Sequence, residues 1–469
     1  MNSYKKLIGN TFIFALGNLG TKLITFFLVP IYTYNLTTSE FGLTDLITTT
    51  VSLLMPVFTL SVFDAVLRFV MDKNYDNKVI LNNAIFVSTL GFLILMIILT
   101  LFHKLLPFSD YLFYFFGLIF IQTIQVGLGQ YIRAQGNVRL FAMNGILNAS
   151  MIFLFNFILL IWFNLGIIGY LLSYILGYAI SSIYLVVFGK VWADINPKKI
   201  NLSIAKEMIH FSLPLMPNSF LWWLINSFNR YVIGIFLGLS ANGIFAVASK
   251  IPSLLNVVYS IFFQAWQMSA IEEYESNDKS RFFSNVFNIF SFIMFLATSI
   301  ILFLLKVIIS ILVEESYFDS WRYVPFLLLG VVFSSFSAFL GTNYIAAKET
   351  LGVFKSSVIG AIVNVFVLLT LVPLLGLHGA SIATMLSFLT MWIIRIKDTK
   401  KYAEIKVNWK KLGLTLIVIF TQVGVLLLEL KNNYSIQMVL VIALCYINRV
   451  EFKQIIKLIQ IIIYKIKVK

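Results

Sequence analysis

NLTTSEFGLTDLITTT, residues 35–50, sets a polar segment between two apolar runs, each long enough to cross a membrane. It carries two acids, Glu40 and Asp45, and six threonines. Further along, FLGLSANGIFAVASKIPSLL, residues 236–255, writes a similar junction. Aligning Gly42 with Gly243 brings Ser52, Leu53 and Leu54 onto Ser253, Leu254 and Leu255 at one spacing, 201 residues (243 minus 42, 253 minus 52). A tight turn between two helices explains such a junction: glycine permits the turn, and Thr, Ser and Asn satisfy helix ends.

The apolar runs are not local. The 469 residues are 60% hydrophobic and 12% charged, against roughly 45–50% and about 25% in soluble domains. The chain is therefore expected to be an all-α polytopic membrane protein. Its opening MNSYKK looks like a short signal-peptide n-region. The apolar run behind it is too long for an h-region and no A-x-A-like site follows, so the reading retains it as the first spanning helix. The single cysteine, Cys445, excludes an intrachain disulfide and a cysteine-based metal cluster. His103, His210 and His378 lack ligand spacing. The chain has no P-loop, H-E-x-x-H or G-x-S-x-G, which argues against a primary ATPase and a hydrolase. No cofactor, metal or enzymatic activity is expected.

Apolar runs between polar breaks give fourteen candidate spans: 7–34, 42–71, 79–102, 110–133, 138–163, 166–189, 208–238, 241–271, 281–312, 322–346, 352–373, 376–396, 412–430 and 434–448. Twelve is the alternative, because the basic, alternating tail from Arg449 reads either as an interfacial amphipathic helix or as part of the last span. With both termini in the cytoplasm, 28 of the 35 Lys and Arg fall on cytoplasmic segments. Three (Lys104, Arg322, Lys431) fall outside and four (Lys22, Arg230, Lys250, Lys306) within spans. That asymmetry is a positive-inside signal. It accounts for the net charge of +15 as topology, aided by anionic lipid, and no nucleic-acid partner is expected.

Two further echoes support a repeat. NLGIIGYLLSYILG (164–177) and LLGLHGASIATMLS (374–387) share L-G-x-x-G, and YIRAQ (131–135) returns as YIAAK (344–348). They divide the chain into an N-terminal lobe, 1–200, a C-terminal lobe, 201–400, and a third region, 401–469, holding two more helices and the basic tail. Six spans per lobe is even, so the repeat is parallel, and a central cavity between the lobes could open to either face.

PIYTYNLTTSEFGLTDLI (30–47), SVFDAVLRFVMD (61–72), GIFAVASKIPSLL (243–255) and FFQAWQMSAIEEY (262–274) resemble the oligosaccharide flippases of the multidrug/oligosaccharidyl-lipid/polysaccharide exporter superfamily, over nearly the whole chain. Polysaccharide-unit flippases of Gram-positive capsule and exopolysaccharide clusters, often fourteen-spanning, are most alike. The resemblance implies a MATE-like pair of lobes in a bacterial cell membrane. It also implies a substrate, a lipid-linked oligosaccharide on undecaprenyl pyrophosphate, turned from the cytoplasmic to the outer leaflet. Membrane lipids, a polysaccharide polymerase and other assembly proteins are the implied partners, and a monomer is expected.

Charges inside a bilayer are costly and usually line a cavity. Lys22, Arg230 and Lys250 are candidates to face it and attract pyrophosphate or acidic sugars, with Arg68 and Arg133 meeting the head group at the cytoplasmic mouth. Asp64, four residues before Arg68 on one helix face, is the candidate coupling-ion or ion-pair residue, for proton or sodium. Lys306 reads as snorkelling and Asp45 as a polar turn or cap residue. Asn226, Asn229, Gln264, Trp266 and Gln267 are candidate sugar contacts, with Asn218, Trp222 and Trp223 nearby. An interfacial aromatic belt and interhelical amide bonds explain the same residues equally well. Pro56, Pro214, Pro217 and Pro252 are candidate gate kinks. A cation-coupled multidrug antiporter is a competing function, but it wants buried acids where this chain offers cations. A lipid II flippase is the other. A membrane polymerase or acyltransferase would need a large outer loop or a catalytic His/Asp set.

Overall fold

A computed structural model of the chain describes residues 2–72, 74–273, 276, 278–347, 351–430 and 432–467. Side chains are described for these except 2–16, 18, 264, 265, 268, 271, 272, 345, 346, 458, 459 and 461–467. Packing divides the chain into two compact units, Met1–Val247 and Ala248–Lys469. The first holds α1 (Asn2–Asn35), α2 (Thr38–Phe58), α3 (Val62–Val70), α4 (Asn77–Leu101), α5 (Leu112–Ala134), α6 (Val138–Asn156) and α7 (Gly166–Phe188). It continues with α8 (Leu202–Ser212), α9 (Met216–Ser227) and α10 (Asn229–Ala248), which ends one residue past the boundary. The second holds α11 (Pro252–Glu272), α12 (Lys279–Leu312), α13 (Val324–Ala346), α14 (Leu351–Leu375), α15 (Leu377–Asp398), α16 (Trp409–Leu427), α17 (Asn433–Ile447) and α18 (Arg449–Lys467). No strand occurs among the described residues.

Eleven helical stretches among the described residues are long and apolar enough to cross a membrane. A twelfth arises if α17 and α18, bent by 80°, count as one span. α1 and α11, of 34 and 21 residues, also reach the length a crossing needs. The chain is a multi-pass membrane protein. Its outer faces carry large apolar side chains such as Phe113 and Ile235, which are 83% and 78% exposed. Apolar burial does not drive helix association in lipid, so small residues and polar contacts set the packing.

Several expected spans are broken. The run 42–71 is two helices, because Leu60 and Ser61 take left-handed φ of 51° and 53°. Pro56 stays within α2, and its carbonyl accepts the Ser61 N–H at 3.0 Å. The run 208–238 is α8, a short 3-10 turn at Leu213–Leu215 containing Pro214, α9 with Pro217 in its first turn, and the first half of α10. α10 itself breaks at Gly238 (φ 86°, ψ 174°). Pro252 opens α11, where its missing N–H interrupts no hydrogen bond. α8 to α10 pack in the first unit: Ser212 Oγ donates to Leu60 O at 2.7 Å and Trp223 Nε1 to Thr49 O at 3.2 Å.

Each echo has a structural counterpart. The first glycines of L-G-x-x-G, Gly166 and Gly376, have φ of 52° and 58°, and α7 and α15 start at or just after them. The second glycines, Gly169 and Gly379, lie so close to the preceding helical segment that a Cβ would meet Leu159 O at 3.1 Å and Leu371 O at 2.3 Å. The tyrosines of YIRAQ and YIAAK also share a task. Tyr131 donates its hydroxyl to Asp194 at 2.9 Å in the first unit, and Tyr344 to Asp398 at 2.7 Å in the second.

Candidate functional site

The junction that opens the chain's first repeat begins with a well-made helix start. Thr37 caps α2: its N–H donates to Glu40 Oε2 at 2.8 Å, and the Glu40 N–H donates to Thr37 Oγ1 at 3.3 Å. The first turns of α2 then lie directly against the second half of α10. A Cβ on Gly42 would sit 1.9 Å from Leu239 O, and one on Gly243 would sit 1.9 Å from Thr38 O. The contact is reciprocal in the repeat, since Leu239 follows Thr38 by the same 201 residues that separate the glycines (239 minus 38). Asn242 Nδ2 donates to Gly42 O at 2.8 Å, and the hydroxyls of Thr38 and Ser240 lie 2.7 Å apart.

Further along the two helices lies a largely shielded ion pair. Asp45 is eight residues from Thr37 and Arg230 eight residues before Gly238. At about 1.5 Å per residue both lie about 12 Å from their helix breaks. Arg230 Nε reaches Asp45 Oδ2 at 3.2 Å, with the two side chains 13% and 14% exposed. Arg230 Nη1 also donates to Asn229 Oδ1 at 2.8 Å, and the guanidinium lies 5.1 Å from the Phe245 ring centroid. Deeper along α2, the Thr50 and Tyr231 hydroxyls meet at 2.6 Å. The cluster therefore presents carboxylate, guanidinium, amide and hydroxyl groups among aromatic rings. Such groups recognise sugar hydroxyls and, once the ion pair opens, phosphate oxygens.

Of the five cations singled out in the sequence, Arg230 is held in this cluster. Arg68 is exposed on α3 and pairs with Asp72 at 3.7 Å. Asp64 is exposed on the same helix, and among the described residues no side chain pairs with it. Arg133, exposed near the end of α5, lies 5.9 Å from the Phe141 ring centroid. Lys22 is exposed on α1, and Lys250 is half-buried in the break between α10 and α11. Asn229 is buried against Arg230, and Asn226 is exposed with its amide donating to Trp222 O at 2.8 Å. Trp266 is 2% exposed in the second unit. Its ring stacks 4.0 Å from Phe339, and Nε1 donates to Thr342 Oγ1 at 2.9 Å. Gln267 is half-buried, and the Gln264 side chain lies outside the described residues. Lys306 is paired rather than snorkelling alone: Glu429 lies 3.4 Å from it and the Trp321 ring 4.2 Å.

Two residues stand differently from their sequence expectation. Asp45 is the partner of Arg230 rather than a turn residue, and the equal count of eight residues to each helix break was the signal for it. Arg395, grouped there with the cytoplasmic cations, is 2% exposed in the second unit. It donates to Ser356 Oγ at 2.8 Å, Ser337 O at 3.0 Å and Ser357 Oγ at 3.3 Å, which are all neutral acceptors. Among the described residues, no group of three His, Cys, Asp or Glu could hold a metal ion.

The profile of the family described as "Polysaccharide biosynthesis protein" matches residues 7–267. An uncharacterized membrane protein of Methanocaldococcus jannaschii is 25% identical over a 305-residue alignment that covers 61% of this chain and 59% of that protein's length. The fold is similar to that of the lipid II flippase MurJ in an inward closed conformation. There the TM-score is 0.71 and the identity 14%, over 95% of this chain and 99% of that one. It is also similar to an inward-facing multidrug resistance MATE family transporter of the MOP superfamily, with TM-score 0.67 and 13% identity, over 82% of this chain and 97% of that one.

Proposed function

The chain belongs to the family of polysaccharide biosynthesis proteins, and from that premise we propose that it is a flippase for lipid-linked oligosaccharide. The substrate is a repeat unit on undecaprenyl pyrophosphate, carried from the cytoplasmic to the outer leaflet of a bacterial cell membrane. The observation that carries this reading is the pairing of the Gly42–Gly243 contact with the polar cluster beneath it. In this reading the contact serves as the outer gate, with both chain termini on the cytoplasmic side. The cluster supplies the groups that a pyrophosphate and sugar head would meet as that gate opens. Arg230 moves from Asp45 to the phosphate, so substrate binding and release of the ion pair are one exchange.

Asp64, exposed on α3, is the residue proposed to carry a coupling proton or sodium ion. Lys22, Arg68, Arg133 and Lys250 are proposed to guide the anionic head. A polysaccharide polymerase is the proposed recipient of the unit.

The test is complementation of a host lacking the protein, with surface polysaccharide and the leaflet position of the lipid-linked unit as readouts. Wild type restores export. Arg230→Ala and Lys250→Ala accumulate the unit on the cytoplasmic side, with export scored per molecule of protein in the membrane. Normal polysaccharide with lost resistance to cationic drugs would replace the flippase with an antiporter, and arrested peptidoglycan precursor would make lipid II the substrate.

A further inference from the structure

α18 leaves α17 at 80°, so the two helices form a sharp corner. At this corner Asn408, Lys410, Lys411, Leu414, Tyr446 and Arg449 line a groove of about 300 Å³. Asn408 caps α16 by accepting the Lys411 N–H at 3.0 Å, which fixes the groove's rim. Glu451, 5% exposed, pairs with the Lys411 ammonium and ties α18 to α16. That carboxylate cancels one of the three cations. Lys410 and Arg449 are exposed, and among the described residues no acid pairs with either. Arg449 lies 5.7 Å from the exposed Tyr446 ring. Lys453 and Lys457, also exposed, follow Arg449 at four-residue intervals and extend the positive face along α18.

We propose that this groove binds the phosphodiester of an anionic glycerophospholipid of the surrounding bilayer, and that the bound lipid seats α18 on the membrane surface. The two uncompensated cations match one phosphodiester charge with a margin of attraction. Leu414 gives the groove an apolar side for the glycerol and the start of the acyl chains, while Asn408 and Tyr446 offer hydrogen bonds to its polar end. The volume, about 300 Å³, suits a lipid head group. None of the lining residues belongs to the Asp45–Arg230 cluster, so this lipid is a resident of the fold rather than cargo. The proposal stands independently of the flippase reading.

The test is native mass spectrometry of the full chain in detergent, titrated with phosphatidylglycerol or phosphatidylcholine. Each cation near a membrane phosphate contributes about a factor of five in affinity. Lys410→Ala/Arg449→Ala therefore weakens phosphatidylglycerol binding roughly 25-fold and leaves phosphatidylcholine binding unchanged. The conservative pair Lys410→Arg/Arg449→Lys keeps binding within a few-fold, which separates loss of charge from loss of fold. Equal weakening by Lys198→Ala/Lys199→Ala, a surface pair elsewhere, would show that bulk charge is responsible and overturn the site. Displacement of phosphatidylglycerol by inorganic phosphate, or more readily by polyprenyl phosphate, would also overturn it in favour of a free-phosphate or carrier-lipid site.

Discussion

Gly42 and Gly243 face each other with no side chain between them, and each stands over a backbone carbonyl of the opposite helix, Leu239 O and Thr38 O. Two helices meet here through their main chains, and the two sides of the contact are the two copies of one sequence junction.

A methyl group at either glycine cannot be accommodated by a rotamer change, because the obstacle is backbone. Gly42→Ala and Gly243→Ala should each push α2 from α10 at an overpacking cost of about 1–3 kcal/mol, shifting the contact roughly tenfold or more toward separation. The Thr38 and Ser240 hydroxyls, 2.7 Å apart, give the readout. In a Cys445→Ser background, Thr38→Cys/Ser240→Cys crosslinks rapidly with mild oxidant. Adding Gly243→Ala slows it severalfold, and an unchanged rate would show the contact to be incidental.

The Asp45–Arg230 pair is largely shielded from solvent, so removing one partner strands the other. Asp45→Leu or Arg230→Leu alone should cost roughly 3–5 kcal/mol in detergent unfolding, and the double change should recover most of it. Additive losses would mean that the charges do not interact.

Arg395 predicts an inversion of the conservative order of substitution. Lysine keeps the buried charge but cannot span Ser337 O, Ser356 Oγ and Ser357 Oγ with one ammonium. Methionine removes the charge. Arg395→Lys should therefore lower the melting temperature more than Arg395→Met, with a loss of roughly 3 kcal/mol for the lysine. The opposite order would mean that charge rather than geometry is what the site requires.

Glu429 bridges Lys306 and Arg322, each at 3.4 Å, near the end of α16. It is about half exposed, so solvent screens the pair and Glu429→Gln should change unfolding stability by less than about 1 kcal/mol. A loss as large as that of Asp45→Leu would show that this network anchors α16 and α17.

The sequence echoes were readable because each encodes a backbone requirement. A left-handed residue, a close helix approach and a tyrosine–aspartate bond all restrict residue type, so both copies keep Gly166 and Gly376, Gly42 and Gly243, Tyr131 and Tyr344. Helix existence was equally legible from apolar length. The breaks were not: Leu60 and Ser61 adopt left-handed backbone without glycine, and nothing in their side chains announces it. The cations were legible as a list but not as a site. Depth in a span places a residue along the membrane normal and says nothing about which way it faces. Asp45 could be counted to the depth of Arg230, whereas the burial of Arg395 depends on serines from α13 and α14 that no local pattern connects to it.

The make-up of the Gly42–Gly243 contact also gives it a thermal character. Side-chain packing would expose hydrocarbon on separation, and its equilibrium would bend with temperature through a large heat-capacity change. Here separation uncovers carbonyls, an amide and two hydroxyls, whose hydration changes heat capacity weakly and with the opposite sign. The equilibrium of this joint should therefore follow a nearly straight van't Hoff line, and the protein would keep the same balance of joined and parted helices in cold and warm membranes.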